Sequence, residues 1–247
     1  MATPARRAFL AVLIAPFLLA ACRSEPADAQ VDAADGDTYV VAFLVRGASA
    51  AERTREERQS IQAAHMANIN KLAHEGKLVI AGPFGQIGDG TLRGIFVFDT
   101  PDVKKAREWT DSDPAVQAKV LDMELAVLRT ETPLRKALEL YRAQVTADEA
   151  NGKKVNEGDR MRSYGMLFAR DAAQARGALA RSRESGKIVF EGELTGSPRA
   201  KLLAVIDAQN AEEARTVIGA LESGLGDHDL VTWYAAKAIA ELPRPAL

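Results

Sequence analysis

The apolar positions of this chain repeat one arrangement of strands and helices twice. Each half begins with a short apolar run that is typical of a β-strand, YVVAFLVR at 39–46 and YGMLFAR at 164–170. A helix-length, more polar segment follows and ends at Gly-Lys, at 76–77 and 186–187. The glycine indicates the end of the helix, because it takes a left-handed conformation at little steric cost.

The rest of each half continues the same pattern. Two runs rich in Val, Ile and Phe follow, KLVIAG and LRGIFVFD in the first half and KIVFEG and AKLLAVID in the second, and such runs between turn residues predict strands. A second helical segment and a last strand, near 119–128 and 229–238, complete each half. Gly76 and Gly186 are 110 positions apart, and Asp99 and Asp207 are 108 apart. The sequence therefore predicts two β-α-β-β-α-β units of the ferredoxin-like kind.

A ferredoxin-like sheet covers one face with its two helices and leaves the other face open. Two copies in one chain can cover each other's open faces. We therefore predict an α+β fold in which units at 39–130 and 161–240 face each other sheet to sheet, as an intramolecular pseudo-dimer resembling a dimeric α+β barrel. Residues 131–160 are predicted to form a connector, which consists of a helix followed by a polar linker at 146–160.

The start of the chain predicts a lipoprotein signal peptide at 1–21. Basic residues precede an apolar run that is too short to span a bilayer as a helix. The only cysteine, Cys22, closes Leu-Ala-Ala-Cys, which resembles the lipobox of bacterial lipoproteins and implies lipid attachment to its sulfur. Cleavage after Ala29, leaving a free soluble protein, is the alternative. Residues 22–38 are rich in Ala and Asp without apolar periodicity, which predicts a flexible tether.

These features predict a lipid-anchored protein of the bacterial cell envelope. Arg23 favours the periplasmic face of the outer membrane, because an aspartate at that position tends to retain lipoproteins of enteric bacteria in the inner membrane. Loss of Arg6 and Arg7 with the signal peptide changes the formal charge from −2 to −4. Since the chain has no basic run, nucleic acid is not expected as a partner.

Three motifs of the first half are candidates for a functional site. His65 lies on one helical stripe with aliphatic residues, so it points toward the sheet. Gly82-Pro83 follows the second predicted strand, and Asp113-Pro114 follows the second predicted helix. The pattern alone leaves simpler roles open: His65 as a core histidine with one hydrogen bond, and Asp113 as the cap of a turn or short helix.

The first half resembles the YCII-related family over nearly its whole length, through RQSIQAAHMANINKLAHEGKLVIAGPF and EWTDSDPAVQAKV. His65, Gly82-Pro83 and Asp113-Pro114 match the family pattern. The resemblance implies a dimeric α+β barrel fold and a catalytic pair of His65 and Asp113, with Gly82 and Pro83 beside the substrate. In such a pair the neutral imidazole moves a proton, and the carboxylate orients the ring.

The second half departs from this pattern at every candidate position. Ala175 stands where the first half has His65, and Leu221 stands where it has Asp113. Gly192-Glu193 replaces the Gly-Pro motif. The second half is therefore predicted to be a structural partner that completes the barrel and lines one wall of a single pocket.

Two classes of function follow from these observations. One is an enzyme that performs proton transfer, of the isomerase or lyase type, on a small organic molecule. The other is a non-catalytic lipoprotein that binds a small ligand or a protein partner in the barrel cleft. The three scattered histidines show no metal-binding spacing, and Gly85, Gly88 and Gly90 form no phosphate cradle because no helix follows them. No metal and no cofactor is therefore predicted.

Overall fold

The computed structural model describes residues 37–51, 53–85, 90–218 and 224–244. The predicted signal peptide, Cys22 and nearly all of the tether lie outside these ranges. The first half has the predicted order of elements, with a one-turn helix inserted before its last strand: β1 (Asp37–Arg46), α1 (Arg55–His74), β2 (Leu78–Pro83), β3 (Leu92–Phe98), α2 (Val103–Asp111), α3 (Pro114–Gln117) and β4 (Leu121–Thr130).

The second half repeats this order of strands and longer helices. Its elements are β5 (Met161–Ala169), α5 (Ala172–Glu184), β6 (Ile188–Thr195), β7 (Leu202–Ile206), α6 (Ala211–Ile218) and β8 (His228–Ala236), followed by a 3-10 helix at Lys237–Glu241. No helix within the described ranges has an apolar stretch long enough to cross a membrane.

The helix between the halves is longer than the sequence predicted. This helix, α4 (Arg135–Ala150), is followed by a 3-10 helix at Glu157–Arg160. The linker predicted for 146–160 is therefore wrong for its first five residues. They contain neither glycine nor proline, and the helix continues until Gly152, which takes a φ of 65°.

The eight strands form one antiparallel sheet in the order β2-β3-β1-β4-β6-β7-β5-β8. The two halves join where β4 pairs with β6 around Leu128 and Leu194. At the opposite edge, Phe84, directly after β2, forms a bridge to Trp233 of β8. The sheet thus curls into a nearly closed barrel, which confirms the predicted fold. The sequence did not predict that the two halves pair with each other at both edges of their sheets.

Glycines at equivalent positions of the two halves allow both seams to close. A Cβ atom on Gly82 would collide with the Tyr234 carbonyl oxygen. On Gly192 it would lie 2.6 Å from the Arg129 carbonyl oxygen, which is closer than real Cβ contacts. Each glycine therefore lets one strand approach the neighbouring half.

The two faces of the sheet bury different cores. Side chains that point into the barrel come from both halves, and the rings of Phe43 and Phe168 meet edge to face with centroids 5.7 Å apart. These two residues occupy matching positions of β1 and β5. The opposite face packs against α1 and α2 in the first half and against α5 and α6 in the second. This arrangement confirms that the two halves face each other, as parts of one curled sheet.

Local signals define the ends of α1. Thr54 accepts a hydrogen bond from the Glu57 backbone N–H, and the Glu57 side chain accepts one from the Thr54 N–H. At the other end Gly76 has a φ of 74°, and Gly186 has a φ of 68° after α5. Both predicted glycine stops are confirmed.

Candidate active site

His65 lies in the middle of α1 and faces the sheet, as its helical stripe predicts. Its side chain is 9% exposed. The imidazole stacks on Phe96 of β3, with ring centroids 5.9 Å apart and an interplanar angle of 19°. Packing on this ring fixes the height and tilt of the imidazole over the sheet.

Asp113 caps α3 and is 1% exposed. Its Oδ1 accepts a hydrogen bond from the Ala115 N–H at 2.8 Å, and Pro114 occupies the first turn of the helix. The local role that the pattern left open is therefore present. The same carboxylate also meets His65, whose Nδ1 lies 2.9 Å from Oδ1 and 2.8 Å from Oδ2.

This contact determines which nitrogen of His65 is available for chemistry. A carboxylate only accepts hydrogen bonds, so Nδ1–H is the donor in the neutral pair and Nε2 carries the lone pair. The carboxylate also favours the imidazolium that forms when Nε2 takes up a proton. The arrangement can therefore accept a proton from a molecule next to Nε2 and return it.

A cavity of about 520 Å³ lies beside His65, between α1, the strands β2 and β3, and α4. We call it the α1–β2 cavity. The second half contributes part of its wall through Met161, Ala236 and Ile239. Its lining is apolar except for six residues: Gln62, His65, Asn70, Arg93, Tyr141 and Glu157. A cavity of this size and polarity is typical of small-molecule sites.

Two of these polar residues lie at the connector between the halves. Tyr141 belongs to α4, and Glu157 belongs to the 3-10 helix that follows it. Burial raises the pKa of the Tyr141 hydroxyl, and the nearby Glu157 carboxylate raises it further. The hydroxyl is therefore neutral at pH 7 and can donate a hydrogen bond into the cavity.

Gly82 and Pro83 both line the α1–β2 cavity. Gly82 also has a structural role, because its carbonyl oxygen accepts a hydrogen bond from the Trp233 indole at 3.2 Å. Three of the four predicted residues, His65, Gly82 and Pro83, thus line one cavity, whereas Asp113 is not part of the lining and contacts the His65 ring.

The sequence did not point to Arg93 or Tyr141 as cavity residues, whereas the wall that the second half contributes was predicted. One signal for Arg93 was present: Leu92 and Ile95 are three positions apart, which interrupts the alternation of β3 and indicates a bulge. Tyr141 sits on the apolar stripe of its helix, and nothing local distinguishes a cavity-lining tyrosine from a packed one.

Charged side chains occupy positions of the second half that match the α1–β2 cavity. Ala175 is fully buried, and Leu221 lies outside the described residues. Arg183 of α5 and Glu191 of β6 form an ion pair at 2.9 Å at positions that correspond to alanines of the α1–β2 cavity. In the described part of the chain, no three His, Cys, Asp or Glu side chains converge as metal ligands would.

Comparison with known proteins agrees with the resemblance of the first half. Residues 40–129 match the sequence model of the YCII-related domain, a range that contains His65, Asp113 and the Gly-Pro motif. The match ends before the second half. A comparison with curated protein sequences finds no match.

Solved structures show the same fold at low sequence identity. Two variants of chlorite dismutase from Candidatus Nitrospira defluvii, one of them in complex with cyanide, superpose with a TM-score of 0.51 at 12% and 13% identity. Each match covers 84% of this chain and 95% of the other. The siroheme decarboxylase NirDL superposes with a TM-score of 0.40 at 12% identity, over 79% of this chain and 70% of its own. The chlorite dismutase matches establish the α+β barrel fold and nothing further.

Proposed function

We propose that the protein is an enzyme that transfers a proton on a small organic molecule, with His65 as the base and Asp113 as the carboxylate that orients it. The observation that carries this proposal is the buried contact of 2.8 Å between His65 Nδ1 and Asp113 Oδ2 at the wall of the α1–β2 cavity. An imidazole that a carboxylate orients in this way can act as acid or base.

The chemistry uses one proton and one nitrogen. Nε2 removes a proton from an acidic carbon of the bound molecule, and the electron pair of the broken C–H bond is delocalised into the molecule. An isomerase returns the proton at another carbon. In a lyase the electron pair forms a new double bond, the leaving group departs with the electrons of its own bond, and Nε2 passes the proton to the leaving group or to water. In both cases Asp113 stabilises the imidazolium while the proton resides on Nε2.

The family match supports the proposal because it spans both residues of the pair. The fold is compatible with catalysis, since chlorite dismutase is itself named for an enzymatic activity. At 12% identity its substrate is not transferred to this chain.

Hydrogen–deuterium exchange tests the proposal without a known substrate. A panel of small carbonyl compounds is incubated with the protein in D₂O, and deuterium uptake at carbon is followed by mass spectrometry. We expect exchange with the wild type and with Ala175→Ser, a change at the matching position of the second half. His65→Gln and Asp113→Asn should slow exchange by about 100-fold or more, the usual contribution of a positioned base.

A non-catalytic ligand-binding protein is the second candidate. The observation that favours it is the largely apolar lining of the α1–β2 cavity, which suits binding whether or not a reaction follows. This function predicts that a ligand binds equally well to the wild type and to His65→Gln, and that neither protein exchanges carbon-bound hydrogen.

We further propose that a lipid on Cys22 holds the folded body at the periplasmic face of the outer membrane. The support is the Leu-Ala-Ala-Cys motif at the end of the apolar leader, with Arg23 after it. More than one acyl chain would make this attachment stable, since each buried methylene adds about 0.8 kcal/mol. Cys22→Ser should remove the protein from the membrane fraction, and intact-mass measurement should show a lipid on the wild type alone.

A further inference from the structure

Among the described residues, Arg93 is the one arginine or lysine that lines the α1–β2 cavity. It sits in a β-bulge of β3. β1 pairs Leu44 with Gly94 and Val45 with Leu92, so that Arg93 has no partner residue on β1. Bulges of this kind redirect a side chain and are frequent beside functional sites.

Arg93 and His65 line the same cavity. Leu92 and Ile95 both pack into the barrel interior, although regular alternation would put residues three apart on opposite faces. The irregularity therefore lies at Arg93, an exposed residue that lines the cavity together with Phe96, on which the His65 ring stacks. Arg93 and Phe96 are about 10 Å apart along the strand.

The guanidinium of Arg93 has no acidic partner in the parts of the chain that the structure describes. The carboxylates that form ion pairs in these ranges pair with other basic residues, including Arg135, Arg160, Arg183 and Arg199. A cation that lines an apolar cavity without a neutralising carboxylate attracts an anionic ligand.

The opposite end of the cavity is lined by a phenol and a carboxylate, those of Tyr141 and Glu157. Arg142 of α4 donates hydrogen bonds to the Ala73 and His74 carbonyl oxygens, at 2.6 Å and 2.9 Å, so Tyr141 lies near the C-terminal end of α1. This end is about 12 Å from His65 along the helix axis. Glu157 is beside Tyr141 and would repel an anion there.

Arg93 lies beyond His65 in the other direction. β3 runs from Gly94, opposite Pro83, to Phe98, opposite Leu78, and Leu78 follows the C-terminal end of α1. The cavity thus has a cation at the Pro83 end, the imidazole between, and a phenol with a carboxylate at the Leu78 end.

We propose that the α1–β2 cavity binds a mostly apolar organic anion, whose carboxylate or other acidic group pairs with Arg93 while its reacting carbon lies at His65. This proposal rests on the proposed function for the role of His65, and it adds the chemical class of the substrate. Arg93 and Glu157 together fix the direction in which such a molecule binds, because reversal places its anion beside a carboxylate.

Two fluorescent dyes with the same apolar skeleton test the anion site. 8-Anilinonaphthalene-1-sulfonate carries a sulfonate, and N-phenyl-1-naphthylamine is the same molecule without it. We expect both dyes to bind the wild type. The sulfonate dye should bind about tenfold tighter, because one charge-assisted hydrogen bond contributes an affinity gain of about this size. Arg93→Gln should weaken the sulfonate dye about tenfold and leave the neutral dye within twofold.

Two further variants locate the dyes and control for charge. Ile69→Trp fills the cavity and should abolish binding of both dyes, whereas Arg46→Gln, an exposed change outside the cavity lining, should alter neither. Near-UV circular dichroism checks that each variant is folded. Equal affinities of the two dyes for the wild type, or an unchanged affinity of the sulfonate dye in Arg93→Gln, would overturn the proposal.

The dye experiment and the exchange experiment fail independently. The dyes report only on binding of an apolar anion. A tenfold effect of Arg93→Gln without any hydrogen–deuterium exchange supports the anion site and rejects the proton-transfer function. Exchange that depends on His65, with no effect of Arg93 on the dyes, rejects the anion site alone.

Discussion

The Nδ1 atom of His65 lies almost equally far from the two carboxylate oxygens of Asp113, at 2.9 Å from Oδ1 and 2.8 Å from Oδ2. Oδ1 also accepts the Ala115 N–H, at 2.8 Å, as the cap of α3. One buried carboxylate thus starts a helix and holds an imidazole. The cap is a local contact, whereas the imidazole contact links residues 48 positions apart.

Substitution at Asp113 should separate these two roles. Asparagine caps helices about as well as aspartate, so Asp113→Asn should keep the cap but lose the carboxylate at His65. We expect Asp113→Ala to lower the free energy of unfolding by about 1 kcal/mol more than Asp113→Asn does, since it removes the cap as well. Urea unfolding measures this difference.

The imidazole provides the second measurement. ¹⁵N NMR of the His65 ring should show the Nδ1–H tautomer in the wild type and a changed tautomer equilibrium in both variants. Identical ring spectra in the wild type and Asp113→Asn, or equal stabilities of the two variants, would show that the carboxylate does not have two separable roles.

The seam glycines make a prediction about the barrel. Gly82→Ala and Gly192→Ala should each lower the free energy of unfolding by about 2 kcal/mol or more, because the added Cβ forces neighbouring strands apart. Gly177→Ala is the matched control. Gly177 lies inside α5 with open space around it, so alanine there should raise stability by about 0.5–1 kcal/mol. Thermal and urea unfolding measure all three, and a harmless alanine at position 82 would contradict the tight seam.

The element order and the direction of His65 could be predicted because both depend on neighbours in sequence. A strand repeats every two residues and a helix every 3.6, so local apolar spacing carries this information. The glycines at 76 and 186 likewise terminate helices through their own backbone conformation. The contact between His65 and Asp113 was expected only from the family resemblance, since no local pattern reports a distance across 48 positions.

The features that the sequence missed depend on how the halves meet. The bridge from Phe84 to Trp233 closes the barrel through residues about 150 positions apart. The second half was predicted to line one wall of the pocket, but that Ile239 forms part of this wall depends on the same long-range contacts. The length of α4 is a different case, because helix propensity alone continues it through polar residues that a pattern of apolar positions does not count.

Two buried tyrosines predict a loss of stability in alkali. Burial raises the pKa of Tyr39 to about 12, and burial likewise raises the pKa of Tyr164 to about 12. The ordinary tyrosine pKa is about 10, so above pH 10 the unfolded chain loses phenolic protons that the folded chain retains. The folded state then binds more protons than the unfolded state. The free energy of unfolding therefore falls as the pH rises from 10 to 12.

Substitution by phenylalanine removes this titration. In urea unfolding between pH 8 and 12, the decline should be shallower for Tyr39→Phe and for Tyr164→Phe than for the wild type. Tyr234→Phe serves as the control, because that ring is 40% exposed. The same slope in all four proteins would mean that the buried phenols do not determine the alkaline limit.

The second half makes a further prediction, because charged side chains occupy the region that matches the α1–β2 cavity. At matched positions 110 residues apart, Arg183 replaces Ala73, and Glu191 replaces Ala81. The Arg183 and Glu191 side chains are 19% and 11% exposed, with Nη2 and Oε1 2.9 Å apart. Neither the Arg183 Nε nor the Glu191 Oε2 has a hydrogen-bond partner among the described residues. The ion pair thus occupies this region although one nitrogen and one oxygen of the pair make no hydrogen bond to described residues.

We expect Arg183→Ala and Glu191→Ala each to lower the free energy of unfolding by about 2 kcal/mol, because each leaves a mostly buried charge without its main partner. The double variant should lose no more than either single variant, since it removes both charges together. It also recreates the two alanines of the first half, so it should open a second apolar cavity. Titration with N-phenyl-1-naphthylamine should then give two dye molecules per chain instead of one. Additive losses of stability with a single bound dye would show that this ion pair does not take the place of a cavity.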